Sequence, residues 1–369
     1  MSQLFDYDVL IIGGGPAGAA AALTLARYSA LRVGLADRGQ PHAQPVGEVV
    51  SPALYPLLEY LGFDREVVAS HHLPAYGHAA AWGSATVHSR DYIFGGQGPG
   101  LHLDRRGFDA MLAQRARELG VSWLADTGVS ALEPGWRCQL QPRGGPARPA
   151  TARFVIDASG RGASVARATG VARHRHDQLV AVCAYYEQVP HEASSQGTFI
   201  EATEHGWYYA APLPGQQFVV SFLTDQDLLL PSQVQQQWDA QLRATRYLRQ
   251  LADYVRLGQP TQLTTRTAHT QFTPCPVGAA WVPAGEAAVA FDPLSSMGIG
   301  FAVSTGIEAA RVAEAYCQRG ADTSAAYGQH LQRLFTEYQQ QHAAQYGGEA
   351  RWPQAPFWQR RQAQLVARA

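Results

Sequence analysis

Apolar and polar positions follow two different periods along this chain, which predicts a mixture of strands and helices. Tyr7–Ile12 is a short β-branched apolar run bounded by glycine, which is typical of a buried parallel strand. Pro16–Tyr28 is rich in alanine and has a proline in its first turn, so a helix is predicted. Residues 31–37 predict a second strand. Together these segments predict a βαβ unit with a right-handed crossover.

Farther along, the pattern changes to short strands separated by turn residues. Residues 76–94 and 179–222 have the alternation of antiparallel sheet, and residues 261–272 alternate like one strand. Residues 105–119, 234–257 and 301–318 are predicted to be helical, as is the tail beyond them. The fold class predicted from this order is α/β with an α+β second domain.

The composition is that of a globular protein and excludes several classes of function. The chain has 369 residues, of which 46% are hydrophobic and 16% charged, with a formal net charge of -1. This length suits two domains, and the balanced charge argues against a nucleic-acid-binding protein. The four cysteines are far apart and match neither a disulfide framework nor a zinc site. No basic and apolar leader and no apolar stretch of about 20 residues is present, so the expected location is the cytoplasm.

A glycine-rich turn joins the first predicted strand to the first helix. Gly13, Gly15 and Gly18 follow the strand, and Asp37 lies at the end of the second strand, 19 residues after Gly18. The first glycine permits a tight turn, the second lets a pyrophosphate approach the backbone, and the third allows helix and strand to pack closely. The helix N-terminus attracts phosphate and the acid can accept ribose hydroxyls, so a dinucleotide site is predicted.

Two later segments decide which dinucleotide is expected. Residues 155–162, VIDASGRG, are a strand entering a glycine turn. Residues 282–300, VPAGEAAVAFDPLSSMGIG, are a strand, an acid, a proline turn and glycines at a helix start. With the first motif they resemble the three fingerprints of the glutathione-reductase-type FAD fold. In particular, they are similar to those of the FAD-dependent monooxygenase and halogenase superfamily, which has the p-hydroxybenzoate hydroxylase-type fold.

The resemblance implies how the chain is divided. A discontinuous FAD-binding domain is expected at residues 1–75, 100–170 and 275–320, a substrate-binding sheet domain at residues 76–99 and 171–274, and a C-terminal helical segment at residues 321–369. No second glycine motif follows a predicted strand in the middle of the chain, so a separate NAD(P)H domain is not expected. Electrons would come from NAD(P)H that binds transiently or from a separate flavin reductase.

The motifs and the resemblance together identify residues that are expected to bind FAD. Arg105 matches the arginine that contacts the polar linker of the flavin, with Arg106 as the competing candidate. Glu286 stands where the superfamily usually has an aspartate for the ribityl chain. The helix after Pro293 is expected to point its N-terminus at the flavin pyrimidine edge. The complete expected set is Gly13, Gly15, Pro16, Ala17, Gly18, Asp37, Arg38, Glu48, Arg105, Asp157, Gly160, Glu286, Asp292, Pro293, Gly298 and Gly300.

Three residues are expected to take part in catalysis: Glu48, His72 and Tyr209. Glu48 lies in PVGEVVSP, which resembles the GE…P segment of halogenase-like flavoproteins; an acid that balances a helix dipole is the alternative. Tyr209 replaces the second tryptophan of the halogenase Trp-x-Trp-x-x-Pro segment, and an aromatic sheet core explains it equally well. A general base for a phenol or an indole N–H is expected among four histidines, without a metal site: His71, His72, His78 and His102.

All 29 cationic side chains are arginines, and the chain contains no lysine. The flavin halogenases that this chain resembles use a lysine between flavin and substrate, so halogenation by that route is not expected. The resemblance implies instead that reduced flavin and O₂ give a C4a-hydroperoxide, which hydroxylates an electron-rich aromatic ring.

Within the superfamily, this chain is most similar to flavoproteins that accompany quinone-cofactor enzymes such as lysine ε-oxidase and glycine oxidase. The GE…SP segment, the DPLSS-x-GIG segment and the compact length carry this resemblance. It implies hydroxylation of a tryptophan side chain in a partner protein during biogenesis of cysteine tryptophylquinone. Three alternatives stay open: a monooxygenase of a small aromatic metabolite, a prenyl-chain reductase, and a flavin-binding partner protein without activity.

Overall fold

The computed structural model describes residues 5–39, 47–133, 135–189, 197–229 and 234–366. Its strands are β1 (Tyr7–Ile12), β2 (Val33–Ala36), β3 (Val49–Val50), β4 (Leu73–Ala75), β5 (Gly77–Ala81), β6 (His88–Asp91), β7 (Gly100–His102), β8 (Ser122–Leu124), β9 (Thr127–Glu133), β10 (Arg137–Pro142), β11 (Arg148–Asp157), β12 (His174–Arg175), β13 (Leu179–Tyr186), β14 (Thr198–Thr203), β15 (Gly206–Leu213), β16 (Gln217–Asp225), β17 (Gln262–Thr267), β18 (Gln271–Phe272), β19 (Trp281–Pro283) and β20 (Val289–Ala290). Its helices are α1 (Pro16–Tyr28), α2 (Tyr55–Tyr60), α3 (Arg65–Ser70), α4 (Arg105–Glu118), α5 (Ser164–Thr169), α6 (Val234–Ala244), α7 (Leu248–Tyr254), α8 (Gly298–Arg319), α9 (Ser324–Gly347) and α10 (Pro356–Val366).

The first sheet is built around β1, which is parallel to both β2 and β11. β8 extends it beyond β2, and β19 extends it beyond β11. The N-terminal half of β11 instead pairs with β10, which with β9 forms an antiparallel extension. Both faces of the parallel strands are buried, as the continuous apolar run Val9–Leu10–Ile11–Ile12 requires. This sheet and the helices on it confirm the predicted α/β class.

Helices α1 and α8 lie side by side on this sheet and meet through small residues. A Cβ on Gly306 of α8 would lie 2.2 Å from the carbonyl oxygen of Ala17 in α1. A Cβ on Gly285 would lie 2.7 Å from the Cβ of Ala17. Since a larger side chain at any of these positions would separate the helices, the small residues bring the first and last glycine motifs together.

The second sheet has seven strands in the order β17-β13-β16-β15-β14-β5-β6. All its neighbours are antiparallel except β5 and β14, which are parallel with His78 opposite Thr198. This parallel pair departs from the expected antiparallel sheet, because the chain returns to the first sheet between β5 and β14. We call one face of this sheet the inner face; its residues include Ala181, Cys183, Tyr185, Ile200, Trp207, Tyr209, Ala211, Val219 and Leu223.

We call helices α9 and α10 the C-terminal tail. The end of α9 and helix α10 pack against one end of the inner face, whereas Tyr327, Leu331 and Phe335 of α9 belong to the core around the first sheet. Tyr346, Phe357 and Trp358 of the tail are buried in one cluster with Trp207 and Leu223. The indole Nε1 of Trp207 donates a hydrogen bond to the hydroxyl of Tyr346 at 2.9 Å. The end of α9 and helix α10 are therefore part of the core of the second sheet.

The segment predicted as one strand over residues 261–272 is divided in two. β17 pairs with β13 of the second sheet, whereas β18 pairs with β12 and with β20. Between them, the backbone N–H of Thr270 donates to Asp177 at 2.9 Å, and the chain leaves the second sheet. β17 is partly exposed whereas both residues of β18 are buried. The pattern alone could not reveal the crossing, because it depends on pairing with strands distant in the chain.

No helix in the described part of the chain combines the length and apolar character needed to cross a lipid bilayer.

Candidate functional site

The three glycines of the first motif have different surroundings. Gly13 has φ of 112°, and a Cβ there would lie 2.2 Å from the carbonyl oxygen of Ala158. A Cβ on Gly18 would lie 1.9 Å from the carbonyl oxygen of Gly13. A Cβ on Gly15 would meet nothing within 4 Å. The protein's own packing therefore requires Gly13 and Gly18, whereas the open space at Gly15 suits a pyrophosphate.

The N-terminus of α1 fits an anionic cofactor group. Gly15 is its N-cap and supplies no side-chain hydrogen bond, Pro16 follows, and the first turn has no acidic residue. The Asp37 carboxyl lies beside the loop, where a Cβ on Gly14 would be 2.5 Å from its Cγ. Uncapped N–H groups beside a carboxylate are what the pyrophosphate and ribose of FAD need. Arg38 follows Asp37, and its carbonyl oxygen accepts a hydrogen bond from Arg143 at 3.5 Å.

The buried carboxylate of Asp157, in the second motif, caps α5. It accepts hydrogen bonds from the backbone N–H groups of Ser159 at 3.1 Å, Val165 at 2.9 Å and Ala166 at 3.3 Å, and from the Ser159 hydroxyl at 2.5 Å. Its partners are thus within the protein, and it holds the turn that carries Gly160. Gly160 has φ of 68°, which favours glycine.

Glu286 forms an ion pair with Arg161, a residue that sequence reasoning did not single out. Arg161 Nε lies 3.0 Å from Glu286 Oε1. The same guanidinium donates to the carbonyl oxygens of His269 at 2.5 Å and Phe291 at 3.3 Å. Arg161 therefore ties the second motif to the third. Its position inside the SGRG segment of the second motif could have drawn attention to it, but the sequence does not show its partners, which lie more than a hundred residues away.

Of the two candidate arginines, Arg105 is the one that reaches the segment containing Glu48. Its side chain is 10% exposed, and it donates to the carbonyl oxygen of Gly47 at 3.1 Å and pairs with Asp109 at 3.2 Å. Arg106 is exposed at the first turn of α4. Gly47 directly precedes Glu48, so Arg105 links α4 to the segment that carries the candidate catalytic acid.

Asp292 of the third motif binds the C-terminal tail. Its carboxylate accepts hydrogen bonds from His342 Nε2 at 3.1 Å, the Tyr346 hydroxyl at 2.8 Å and the backbone N–H of Leu294 at 2.9 Å. Burial by itself would raise the pKa of Asp292, but these donors, His342 foremost, outweigh it and lower the pKa. Asp292 therefore remains ionised and fixes the turn at Pro293 to the tail.

The turn after Asp292 leads into the N-terminus of α8. Its N-cap, Met297, makes no side-chain capping bond, and the first turn has no acidic residue. A Cβ on Gly298 or Gly300 would meet nothing within 4 Å. As at α1, open space in front of an uncapped helix N-terminus fits a group that carries negative charge, such as the pyrimidine edge of reduced flavin.

Glu48 and two tyrosines lie together where the segment before β3 meets the inner face of the second sheet. Glu48 is buried, and its Oε1 accepts a hydrogen bond from the Tyr185 hydroxyl at 3.2 Å. Burial raises the pKa of Glu48, although Arg105 and Tyr185 oppose the shift. Burial, with Glu48 next in effect, raises the pKa of Tyr209 well above its ordinary value, so this phenol stays protonated. Tyr185 was missed by sequence reasoning, which identified its segment only as antiparallel sheet.

The candidate histidines are in different environments. His71 is exposed, and its Nδ1 lies 2.8 Å from the carbonyl oxygen of Val67. His72 is buried, and its Nδ1 accepts a hydrogen bond from the backbone N–H of Asp104 at 3.2 Å. His78 packs its ring edge against Tyr92. The bond to His72 joins β4 to the start of α4, so the histidine expected to be a base is held by the backbone.

The buried acid at Glu48 makes stability depend on pH. Because its pKa is raised in the folded state, the unfolded chain releases this proton first once the pH exceeds about 4.5. Glu48 therefore lowers the free energy of unfolding increasingly from pH 4.5 up to its raised pKa. We expect Glu48→Gln to remove this loss. The free energy of unfolding of the variant should therefore rise relative to that of the wild type as pH increases. Urea unfolding of the cofactor-free wild type and variant at successive pH values measures this difference. Glu59→Gln, at an exposed position, is the control. The prediction would be contradicted if the free energies of unfolding of the wild type and the Glu48 variant changed in parallel with pH.

Comparison with known proteins identifies a family and individual proteins that this chain resembles in sequence. A family model described as FAD binding domain matches residues 6–311. LodB of Marinomonas mediterranea, named as an FAD-dependent oxidoreductase, is 34% identical over 367 residues, covering 97% of each chain. A tryptophan 2-halogenase of Chondromyces crocatus is 25% identical over 324 residues, which cover 82% of this chain and 60% of that protein.

Solved structures share the fold. The flavin-dependent halogenase CmlS superposes with a TM-score of 0.82 at 24% identity, covering 99% of this chain and 70% of its own. The peptidyl tryptophan dihydroxylase QhpG, described as essential for tryptophylquinone cofactor biogenesis, superposes with a TM-score of 0.79 at 23% identity, covering 96% of this chain and 78% of its own. At these identities the structures show a common fold.

Proposed function

Since the chain belongs to the FAD binding domain family and is an FAD-dependent oxidoreductase of the monooxygenase and halogenase superfamily, we propose that it hydroxylates a tryptophan side chain of a partner protein. The partner is the precursor of an enzyme with a tryptophan-derived quinone cofactor, such as cysteine tryptophylquinone. Molecular oxygen is the second substrate. The electrons come from NAD(P)H or from a separate reduced-flavin donor.

The observation that carries this proposal is the lack of lysine in a chain with the halogenase fold. Halogenation in the superfamily depends on an amine that takes up the oxidised halide, and arginine cannot replace it because its guanidinium is always protonated. Oxygen transfer to a ring needs no such amine. The likeness to LodB over nearly the whole chain and the fold shared with a peptidyl tryptophan dihydroxylase support a tryptophan side chain as the acceptor.

FAD, when bound, would supply the electrons that activate oxygen and deliver one oxygen atom to the ring. The α1 N-terminus would hold its pyrophosphate, Asp37 its ribose and the α8 N-terminus its pyrimidine edge. Glu48, with its raised pKa, can hold a proton close to Tyr185 and Tyr209. These buried groups lie between the two domains, where water would be excluded from the reacting ring.

One observation favours a second candidate, the hydroxylation of a small aromatic metabolite. The tail closes one end of the inner face with Tyr346 and Trp358, while Tyr185 and Glu48 are buried at the other. A free ring needs only a narrow entrance, whereas a side chain on a protein needs an open cleft or a movement of the tail.

Co-expression with a candidate quinoenzyme precursor, followed by intact-mass analysis, distinguishes the two candidates. The first predicts oxygen added to a tryptophan of the precursor, in steps of one oxygen atom, which requires both bound flavin and air. The matched control is the same precursor with that tryptophan replaced by phenylalanine. An unmodified precursor in the presence of flavin-loaded, reducible enzyme, together with NADH oxidation stimulated by free phenols or indoles, would replace the first proposal with the second.

A further inference from the structure

His102 is a buried histidine whose ring has no hydrogen-bond partner among the described residues. It is 0% exposed, and both Nδ1 and Nε2 are buried. Burial lowers its pKa to about 4, so the ring is neutral at pH 7 and offers one N–H donor and one nitrogen lone pair. Buried polar atoms in native proteins almost always have partners, so a ring with both nitrogens unpaired requires a physical explanation.

The position of His102 on β7 shows which way its side chain faces. Its neighbours Leu101 and Leu103 are buried in the core of the first domain. His102 itself pairs with Val49 of β3 and with Leu73 of β4. Paired residues share a face of the sheet, and Val49 packs against the inner-face cluster. His102 therefore faces the second sheet, whose strand β15 approaches β7.

The inner face, which β7 approaches at β15, also has an unpaired polar atom. The hydroxyl of Thr198, two residues before the inner-face residue Ile200, is buried without a partner among the described residues. The surrounding inner-face residues, Ala211 and Val219, are apolar. The buried residues between β7 and the inner face are thus mostly apolar with a few polar groups among them, which is the composition of a site for a small ring.

We propose that His102, and not His72, hydrogen-bonds the substrate ring, its unprotonated nitrogen accepting the indole N–H of the tryptophan. This inference rests on the proposed function and names the residue that would recognise the ring. A neutral, apolar ring with a single N–H donor suits this site, because a charged group would lose its hydration without gaining an ionic partner there. His72 cannot make the same bond with its Nδ1, which already accepts from Asp104.

The first test uses the cofactor-free protein and needs no substrate. His102→Leu removes two unpaired buried polar atoms and fills the space with an apolar side chain, so we expect an equal or higher melting temperature. His72→Leu, which breaks a bond to the backbone, should lower it. A clearly lower melting temperature for His102→Leu would show that water or protein already satisfies the ring, and would overturn the proposal.

The second test measures binding to the FAD-loaded protein, with N-acetyltryptophanamide and its 1-methylindole analogue as probes and the flavin absorbance as the signal. A hydrogen bond from the ring N–H should give the unmethylated probe about tenfold tighter binding in the wild type. His102→Leu should abolish this preference, and His88→Leu on the exposed strand β6 should retain it. Equal binding of the two probes to the wild type, no binding, or a preference that survives in His102→Leu would each overturn the proposal.

These results separate this inference from the proposed function. Tighter binding of the unmethylated probe that depends on His102, together with a precursor that stays unmodified, would reject the proposed protein substrate. It would still support His102 as the residue that binds an aromatic ring. A hydroxylated precursor with unaltered activity in His102→Leu would reject the role of His102 alone.

Discussion

Gly15→Val should weaken FAD binding by on the order of 100-fold or more while the protein still folds. A side chain at Gly15 meets no protein atom within 4 Å, so the change in the free energy of unfolding of the cofactor-free protein should stay within about 1 kcal/mol, mostly from the altered N-cap. The same side chain would occupy the space that a pyrophosphate needs at the α1 N-terminus. Loss of two charge-assisted hydrogen bonds to phosphate, each worth about 1.5–3 kcal/mol, accounts for the expected change in affinity.

Two other glycines serve as controls for this experiment. Gly258, in a loop after α7, also has nothing within 4 Å, so Gly258→Val should alter neither folding nor FAD affinity. Gly18→Val should instead destabilise the protein by about 1–3 kcal/mol or more, because its Cβ would lie 1.9 Å from a backbone oxygen. Flavin fluorescence titration and urea unfolding measure the two quantities. Unchanged FAD affinity in Gly15→Val would show that the pyrophosphate does not lie at this helix.

Asp225→Ala should cost about 3–5 kcal/mol of the free energy of unfolding, because it leaves the Arg361 charge buried without its partner. The two side chains are 3% and 4% exposed. Arg361 donates from Nη2 to Oδ1 at 2.9 Å and from Nη1 to Oδ2 at 3.1 Å. The Arg361 guanidinium also lies 3.4 Å from the centre of the Phe357 ring, within the tail. Helix α10 should therefore detach first, which limited proteolysis would detect as early cleavage near the C-terminal end of the chain.

Asp227→Ala is the matched control. Asp227 also binds an arginine of the tail, with Oδ2 accepting from Arg360 at 2.6 Å, but the carboxylate is 48% exposed and the guanidinium 38%. An exposed ion pair of this kind contributes at most about 1 kcal/mol. Denaturant unfolding should thus show a loss of free energy of unfolding that is several-fold larger for Asp225→Ala than for Asp227→Ala. Similar losses for both would mean that burial of the Asp225 pair does not dominate how the tail is held.

The sequence predicted the FAD-binding elements well where the determinants are local. β1 and α1 have the predicted bounds, since glycine and proline act on the residues next to them. The sequence predicted the candidate site less well, because several polar groups of the site are positioned by partners that are distant in the chain. Glu48 meets Tyr185, and Asp292 meets Tyr346, only after two sheets and the tail have packed.

His72 and His102 show this limit most clearly. Both are buried histidines in short strands or at their ends, and the sequence offers no signal that separates them. The structure gives His72 a backbone donor and leaves both His102 nitrogens without a partner among the described residues. Similarly, Asp157 of the second motif was expected to bind FAD, whereas in the fold its carboxylate caps α5.

By itself, the sequence determined the dinucleotide motif, the division into sheet and helix segments and the lack of a lysine amine for halogen transfer. These properties depend on residue identity and spacing within about 20 residues, which short-range sterics and hydrogen bonding govern. Only the tertiary structure decided which glycine has open space around it, which arginine reaches the Glu48 segment and which buried histidine lacks a partner among the described residues. Those properties depend on burial and on contacts between distant segments, which exist only when the two sheets and the tail are packed together.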